Sequence, residues 1–245
     1  MTADTILARL EQLADPKRAK ILQGFFKTGP GQYGEGDVFL GITVPVQRKL
    51  AKEYQELPLG EVRRLLKSPI HESRLLALLI LVRQYAQGNE ARKQQIYDLY
   101  LKSTRSINNW DLVDLSADRI VGSHLAERSK QPLYSLAKSS LLWDRRIAIL
   151  ATFHDIKRGE SATTLKIAAM LLGDKEDLIH KAVGWMLREV GKRDQRVEEC
   201  FLRQHYPRMP RTMLRYAIER FPKPLREGYL KGTIPTRASD DPNAC

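Results

Sequence analysis

Cysteine is almost missing from this chain. Two occur in 245 residues, Cys200 and Cys245, and neither has metal-ligand spacing. Zinc modules are therefore excluded, and the pair does not read as a disulfide framework, which suits a reducing compartment. Long apolar runs are missing as well: the longest, Leu75 to Val82, is far short of the roughly 20 residues a membrane span needs. The first residues, Met1 to Ile6, carry neither a basic n-region nor an apolar stretch, so no signal peptide is expected and a cytoplasmic location is. The five histidines (His71, His124, His154, His180 and His205) show no metal or triad spacing, and no role is assigned to them. Neither a metal nor a cofactor is expected.

Acids are the other shortage. Lys and Arg number 41 against 29 Asp and Glu, a net charge of +12 with a pI near 9.7. Phosphates would answer that excess through Coulomb attraction and counterion release, so a nucleic acid is the favoured partner. A basic solvated surface with no such partner is the bland alternative. With 42% apolar residues the chain can bury a core. Its length suits one domain or two, and we expect a single domain over residues 1–231. Residues 232–245, rich in Thr, Asp and Pro, read as a disordered tail.

What is present in quantity is helical periodicity. Prolines stand where helices begin, as at Pro16, Pro45, Pro69 and Pro132. Hairpins are expected over 59–67 with 70–87, 90–102 with 108–125, 131–139 with 142–158, 161–172 with 176–191 and 194–204 with 210–220. Residues 4–14 and 16–27 form an earlier pair, followed by a helix from Pro45 to Gln55. Thr28 to Gly41 holds five glycines and reads as an ordered surface loop. It lacks the Lys-Ser/Thr of a P-loop and follows no strand, so it is a weak nucleotide site. Val38 to Val44 alone looks strand-like, and one short run makes no sheet.

The inner helices carry a register. Arg74, Trp110, Arg146, Lys181 and Arg215 are separated by 36, 36, 35 and 34 residues. That period is one helical hairpin of a solenoid, so the expected fold is an all-α solenoid with the slot cations along one basic concave face. Phosphate contact is one reading of these cations, with Arg145 and Arg188 adding charge nearby. An internal ladder with neighbouring acids is the other. One slot departs from the pattern: Trp110 replaces the cation, and Asp114 follows one turn later on the same helix face. Trp185 stands four residues after Lys181. Trp110 as core with Asp114 in an ordinary ion pair is the structural alternative. A carboxylate near indoles can also stabilise an oxocarbenium-like sugar, and a base already made cationic by alkylation leaves without a general acid.

At these residues the chain resembles the AlkD-type DNA alkylation repair glycosylases, built of HEAT-like helical repeats. The resemblance spans residues 5–225. It is carried by Asn109 to Asp114, Trp143 to Leu150, Lys181 to Glu189, and Phe39 to Pro45 ahead of the third helix. It implies a right-handed solenoid of antiparallel hairpins and a monofunctional glycosylase; a monomer is the default expectation. Such an enzyme would excise cationic alkylated purines such as 3-methyladenine and 7-methylguanine from duplex DNA, without metal or cofactor. By resemblance Asp114 is the catalytic carboxylate, Trp110 and Trp185 hold the deoxyribose, and Arg146 grips the backbone. Lys181, Arg145, Arg188, Arg215 and Phe25 join the DNA-binding set. Two departures stand out: Asn109 where the family often has an aromatic residue, and Phe25 in place of a tyrosine. A non-catalytic binder of branched or damaged DNA is the alternative function, and a protein-binding scaffold the third.

Overall fold

The computed structural model describes residues 1–236, and among these its regular secondary structure is helical apart from one isolated parallel bridge between Val38 and Ile70. The all-α expectation holds, and Val38 to Val44 indeed makes no sheet. Among the described residues no helix is long and apolar enough to cross a membrane. The chain divides into two compact units, the first Met1–His124 and the second from Leu125 onward.

In the first unit, α1 (Ala3–Gln12) begins where the Thr2 hydroxyl accepts the Thr5 amide. In α2 (Pro16–Phe25) Asp15 accepts the Arg18 amide and Pro16 occupies the first turn, where its missing N–H is no loss. Then follow α3 (Val44–Glu53), α4 (Leu59–Leu66), α5 (His71–Gln87) and α6 (Glu90–Leu101), the last capped by the Asn89 side chain. α5 is the axis of this unit: α3, α4 and α6 pack around it, and it is buried on nearly every side. Each of its fully buried Leu and Ile side chains contributes about 1.5–3 kcal/mol. Such a helix must also find partners for its buried polar residues. Ser73 donates to the Leu65 carbonyl at 3.1 Å, and Gln84 donates to those of Gln55 and Leu57 at 2.7 Å each. Glu72 takes the amides of Leu40, Gly41 and Ile42 and thereby ties the glycine-containing loop to α5. Gly41 is needed there, since its φ is +85° and a Cβ would lie 2.3 Å from the Asp15 carbonyl oxygen.

The helix expected over 108–125 is broken. α7 covers only Trp110–Asp114, a π-turn runs Asp118–Gly122, and α8 is the single turn Ser123–Leu125. The cause sits at Ser116, whose hydroxyl bonds the Leu112 carbonyl at 2.5 Å and the Tyr100 hydroxyl at 2.9 Å. Such back-bonding bends a helix, and the π-turn takes up the misfit.

The second unit continues with α9 (Gln131–Ala137), α10 (Leu142–Ala151), α11 (Phe153–Lys157), α12 (Ala162–Met170), α13 (Asp177–Gly191), α14 (Gln195–His205) and α15 (Arg211–Ala217). The break between α10 and α11 again has a hydroxyl at it, Thr152 donating to the Ile149 carbonyl at 2.7 Å. α13 is the axis here, with α10, α12, α14 and α15 packed on it. One further helix, α16 (Lys223–Lys231), was not anticipated from the sequence; it starts after Pro222 and ends on left-handed Gly232 at φ +74°. The tail expected to be disordered lies mostly outside the described residues. Its first part is tied down, for the Tyr206 hydroxyl donates to the Ile234 carbonyl at 2.7 Å.

Candidate functional site

The short helix α7 carries both Trp110 and Asp114, each half-buried and one turn apart. Five residues cannot sustain a helix by propagation alone, so its neighbours must hold it. Trp110 stacks on Phe26 with centroids 5.2 Å apart and planes 18° apart; Phe26 stacks on Phe39 at 4.9 Å, and Phe39 on the His71 ring at 4.4 Å. Phe25 meets Trp110 edge-on at 6.0 Å while remaining 62% exposed.

Beneath this stack lies a buried polar network. His71 reaches Asp37 through Nδ1 at 3.1 Å and Asp111 through Nε2 at 2.8 Å. Arg74 donates to Asp37 at 2.5 Å and to the carbonyls of Ser68 and Pro69. Asn109 accepts the Trp110 amide at 2.8 Å, so it caps α7, and its own amide donates to Asp37 at 3.1 Å. Burial alone would raise the Asp37 carboxyl. His71, Arg74 and Asn109 outweigh it and hold that carboxyl below the usual range. For His71 burial works to lower the pKa, yet the two carboxylates raise it above the ordinary imidazole value.

In the second unit, Trp185 on α13 is half-buried; its indole N–H donates to Glu189 at 3.2 Å and its ring tilts against Phe153 at 6.0 Å. Burial would raise Glu189, but Lys192, Trp185 and Arg193 together hold it low. The slot cations differ sharply in what they face. Arg146 is 5% exposed and donates to the Leu178 carbonyl at 2.6 Å. Arg145 pairs with Asp174 at 2.6 Å and bonds the carbonyls of Ser139 and Ser140. Lys181 pairs with Asp177 at 2.7 Å and stays partly open to solvent, as its ammonium holds the Asp177 carboxyl low. Arg188 pairs with Glu219, and Arg215 is exposed at an open recess shared with Thr212, Tyr216 and Glu219.

The family model for DNA alkylation repair enzymes matches residues 6–221. The chain belongs to that family. Among solved structures, this alkylation repair family member is similar to a predicted DNA alkylation repair enzyme from Enterococcus faecalis. The two share a TM-score of 0.66 and 18% identity over 86% of this chain and 97% of the other, a likeness of fold. No curated protein matches the chain by sequence.

Within this alkylation repair protein α7 carries Trp110 and Asp114 one turn apart, as the spacing predicts, and Phe25, named only through the resemblance, meets Trp110 edge-on. Sequence reasoning missed what holds them. Phe26, Phe39, Asp37 and His71 surround α7, and His71 had been given no role. Arg74 is not a surface cation but the buried partner of Asp37. Arg145 and Arg146 likewise spend their donors on the protein, so among the proposed backbone contacts the structure favours Lys181 and Arg215. The only sequence sign of the buried network was Asn109, a polar residue where the family often has an aromatic one.

Proposed function

We propose that this protein is a monofunctional DNA glycosylase that hydrolyses the N-glycosidic bond of cationic alkylated purines in duplex DNA. One observation carries the reading: in a chain of the alkylation repair family, Asp114 sits one turn beyond Trp110 on a short helix clamped by aromatic stacking and buried polar bonds. A carboxylate so placed suits developing positive charge at C1′.

The base leaves with the electron pair of the C1′–N bond, and that pair cancels its positive charge. No general acid is needed for this step. Asp114 stabilises the oxocarbenium-like sugar, then orients a water whose oxygen bonds C1′ and whose proton is released to the carboxylate or solvent. Trp110 supplies an aromatic face to the sugar, since a π-face attracts cationic character, and Phe25 contacts DNA beside it. Trp185 is a further aromatic contact to DNA, and Lys181 and Arg215 supply charge to the phosphates, while Arg188 is engaged by Glu219.

The test is release of 7-methylguanine or 3-methyladenine from alkylated duplex DNA by the wild type and by Asp114→Asn. We expect release from the wild type, none above background from Asp114→Asn, and similar DNA affinity for both. A wild type that binds DNA and releases no base leaves the non-catalytic binder instead.

A further inference from the structure

We propose that His71 is a positioning residue for base release: held as an imidazolium between Asp37 and Asp111, it fixes the first turn of α7 and hence the reach of Asp114. The inference rests on the glycosylase reading for its effect on rate, but its structural half stands apart from it.

The geometry dictates the charge. Both ring nitrogens face carboxylate oxygens, Nδ1 at 3.1 Å from Asp37 and Nε2 at 2.8 Å from Asp111. A carboxylate can only accept, so both bonds form only when both nitrogens carry protons. A neutral imidazole would aim one lone pair at an anion inside a site where His71 is 2% exposed. The groups around the ring give the same answer. From the loop comes Asp37, from α7 comes Asp111, from its cap the Asn109 amide, and from α5 comes Arg74; Phe26 and Phe39 add only uncharged faces. With His71 protonated, two buried anions meet two buried cations. Without that proton, one negative charge is left uncompensated, which a buried site tolerates poorly. The raised imidazole pKa agrees with this balance.

The consequence falls on α7. Asp111 is the second residue of a five-residue helix, and its Oδ1 also takes the Leu112 amide at 2.9 Å. His71 therefore grips the carboxylate that organises the first turn, three residues ahead of Asp114. The Gly-rich loop gains a task as well, for its Asp37 holds the other side of the same imidazole and the cap residue Asn109. Losing the His71 proton cuts one anchor of α7 without touching Asp114 itself. Displacing a reacting group by ~1 Å can cost on the order of 10²-fold in rate.

Two measurements test this on the full-length protein: imidazole ¹⁵N shifts of His71, assigned with His71→Gln, and single-turnover base release from 7-methylguanine duplex across the same pH series. We expect a His71 midpoint above the ordinary imidazole value, and release that falls along that titration while DNA affinity stays level. Backbone amide shifts of Trp110 to Asp114 should move with the same midpoint. His71→Gln should release base at least tenfold more slowly at neutral pH, an order-of-magnitude figure, with the alkaline limb gone. A neutral His71 at pH 7, or α7 amides indifferent to its titration, overturns the proposal even where His71→Gln does not fold. Amide shifts that follow His71 while the rate does not also overturn the catalytic role. A wild type with no base release at any pH condemns the glycosylase reading instead, and the α7 shifts still decide the positioning.

Discussion

Arg145 repeats the bonding of Arg74: each guanidinium sets Nη1 on the carbonyls five and six residues upstream and another nitrogen on a carboxylate. His180 does the same with the carbonyl of Asp174, six residues before it. These residues clamp the turns ahead of α5, α10 and α13, and Arg145 and His180 lie one position before Arg146 and Lys181. Arg145→Ala should therefore destabilise the fold by about 3 kcal/mol, because it strands the nearly buried Asp174 carboxylate. Its effect on DNA affinity should be small once the protein is kept folded. Urea denaturation beside a binding titration decides this; equal stability with a large affinity loss would return Arg145 to the phosphate-contacting set.

Arg215→Ala should behave in the opposite way. The side chain is exposed, so stability should stay within about 0.5 kcal/mol of wild type. DNA affinity should fall similarly for every sequence, and the slope of log affinity against log salt should shrink by about one. An unchanged salt slope removes Arg215 from the interface.

How much of this was legible beforehand follows from what each feature depends on. Helix positions were readable because prolines, caps and apolar periodicity are local, and Asp15, Asn89 and Pro132 stand near where helices begin. The register was off by one at Arg74, since the slot is defined by bonds to backbone carbonyls that leave no mark on side-chain identity. Ser116 and Thr152 broke two expected helices through hydroxyl bonds, which periodicity does not see. At the site, Trp110 and Asp114 were visible as a spacing. Asp37 was not, because a carboxylate in a glycine loop meets His71 and Asn109 only after the chain has folded back over 34 and 72 residues.

Asp37→Asn should destabilise the protein by about 3–5 kcal/mol at neutral pH, since Arg74 is left as a buried cation without its anion. The pH dependence has two arms. Asp37 is held low, so its contribution is present above about pH 4, its unfolded value, and is lost as pH falls through the folded pKa. His71 is held high, so its contribution is present below about pH 6.5 and is lost as pH rises through its folded pKa. With Asp37 gone, His71 keeps only Asp111 and its folded pKa falls, so the alkaline loss should end at lower pH and be smaller. Denaturation at a series of pH values checks this; an alkaline arm that does not move contradicts it.

Glu198 on α14 points to a stabilising substitution. It is 2% exposed, and one carboxyl oxygen has no hydrogen-bond partner among the described residues. Burial first and Glu199 second push its pKa up to about 9, with Arg188 opposing, so the carboxyl is neutral at pH 7. The native state then keeps a proton that the unfolded chain has released, and stability declines as pH rises from about 4.5 to about 9. Glu198→Gln should remove that decline and stabilise the protein at pH 7 by up to about 3 kcal/mol, with little difference at pH 5. A variant whose stability falls with pH as steeply as the wild type refutes the buried neutral acid.

Gly184→Ala links packing to DNA binding in the second unit. A Cβ at Gly184 would lie 2.4 Å from the Met213 carbonyl oxygen and 2.5 Å from the Tyr216 Cβ, so α13 and α15 must part. Neither of those atoms is the end of a flexible chain, and overpacking of this kind costs about 1–3 kcal/mol. The displaced helix carries Thr212, Arg215 and Tyr216, the residues at the open recess. Thermal unfolding should therefore begin several degrees lower, by about the 2–4 °C per kcal/mol of a chain this size. DNA affinity should weaken, because the cation at the recess is moved although no charge is removed. Base release at saturating protein should hardly change, since α7 and its anchors belong to the first unit and are untouched. A Gly184→Ala protein that melts earlier but binds as tightly as wild type would show that the recess on α15 takes no part in holding DNA.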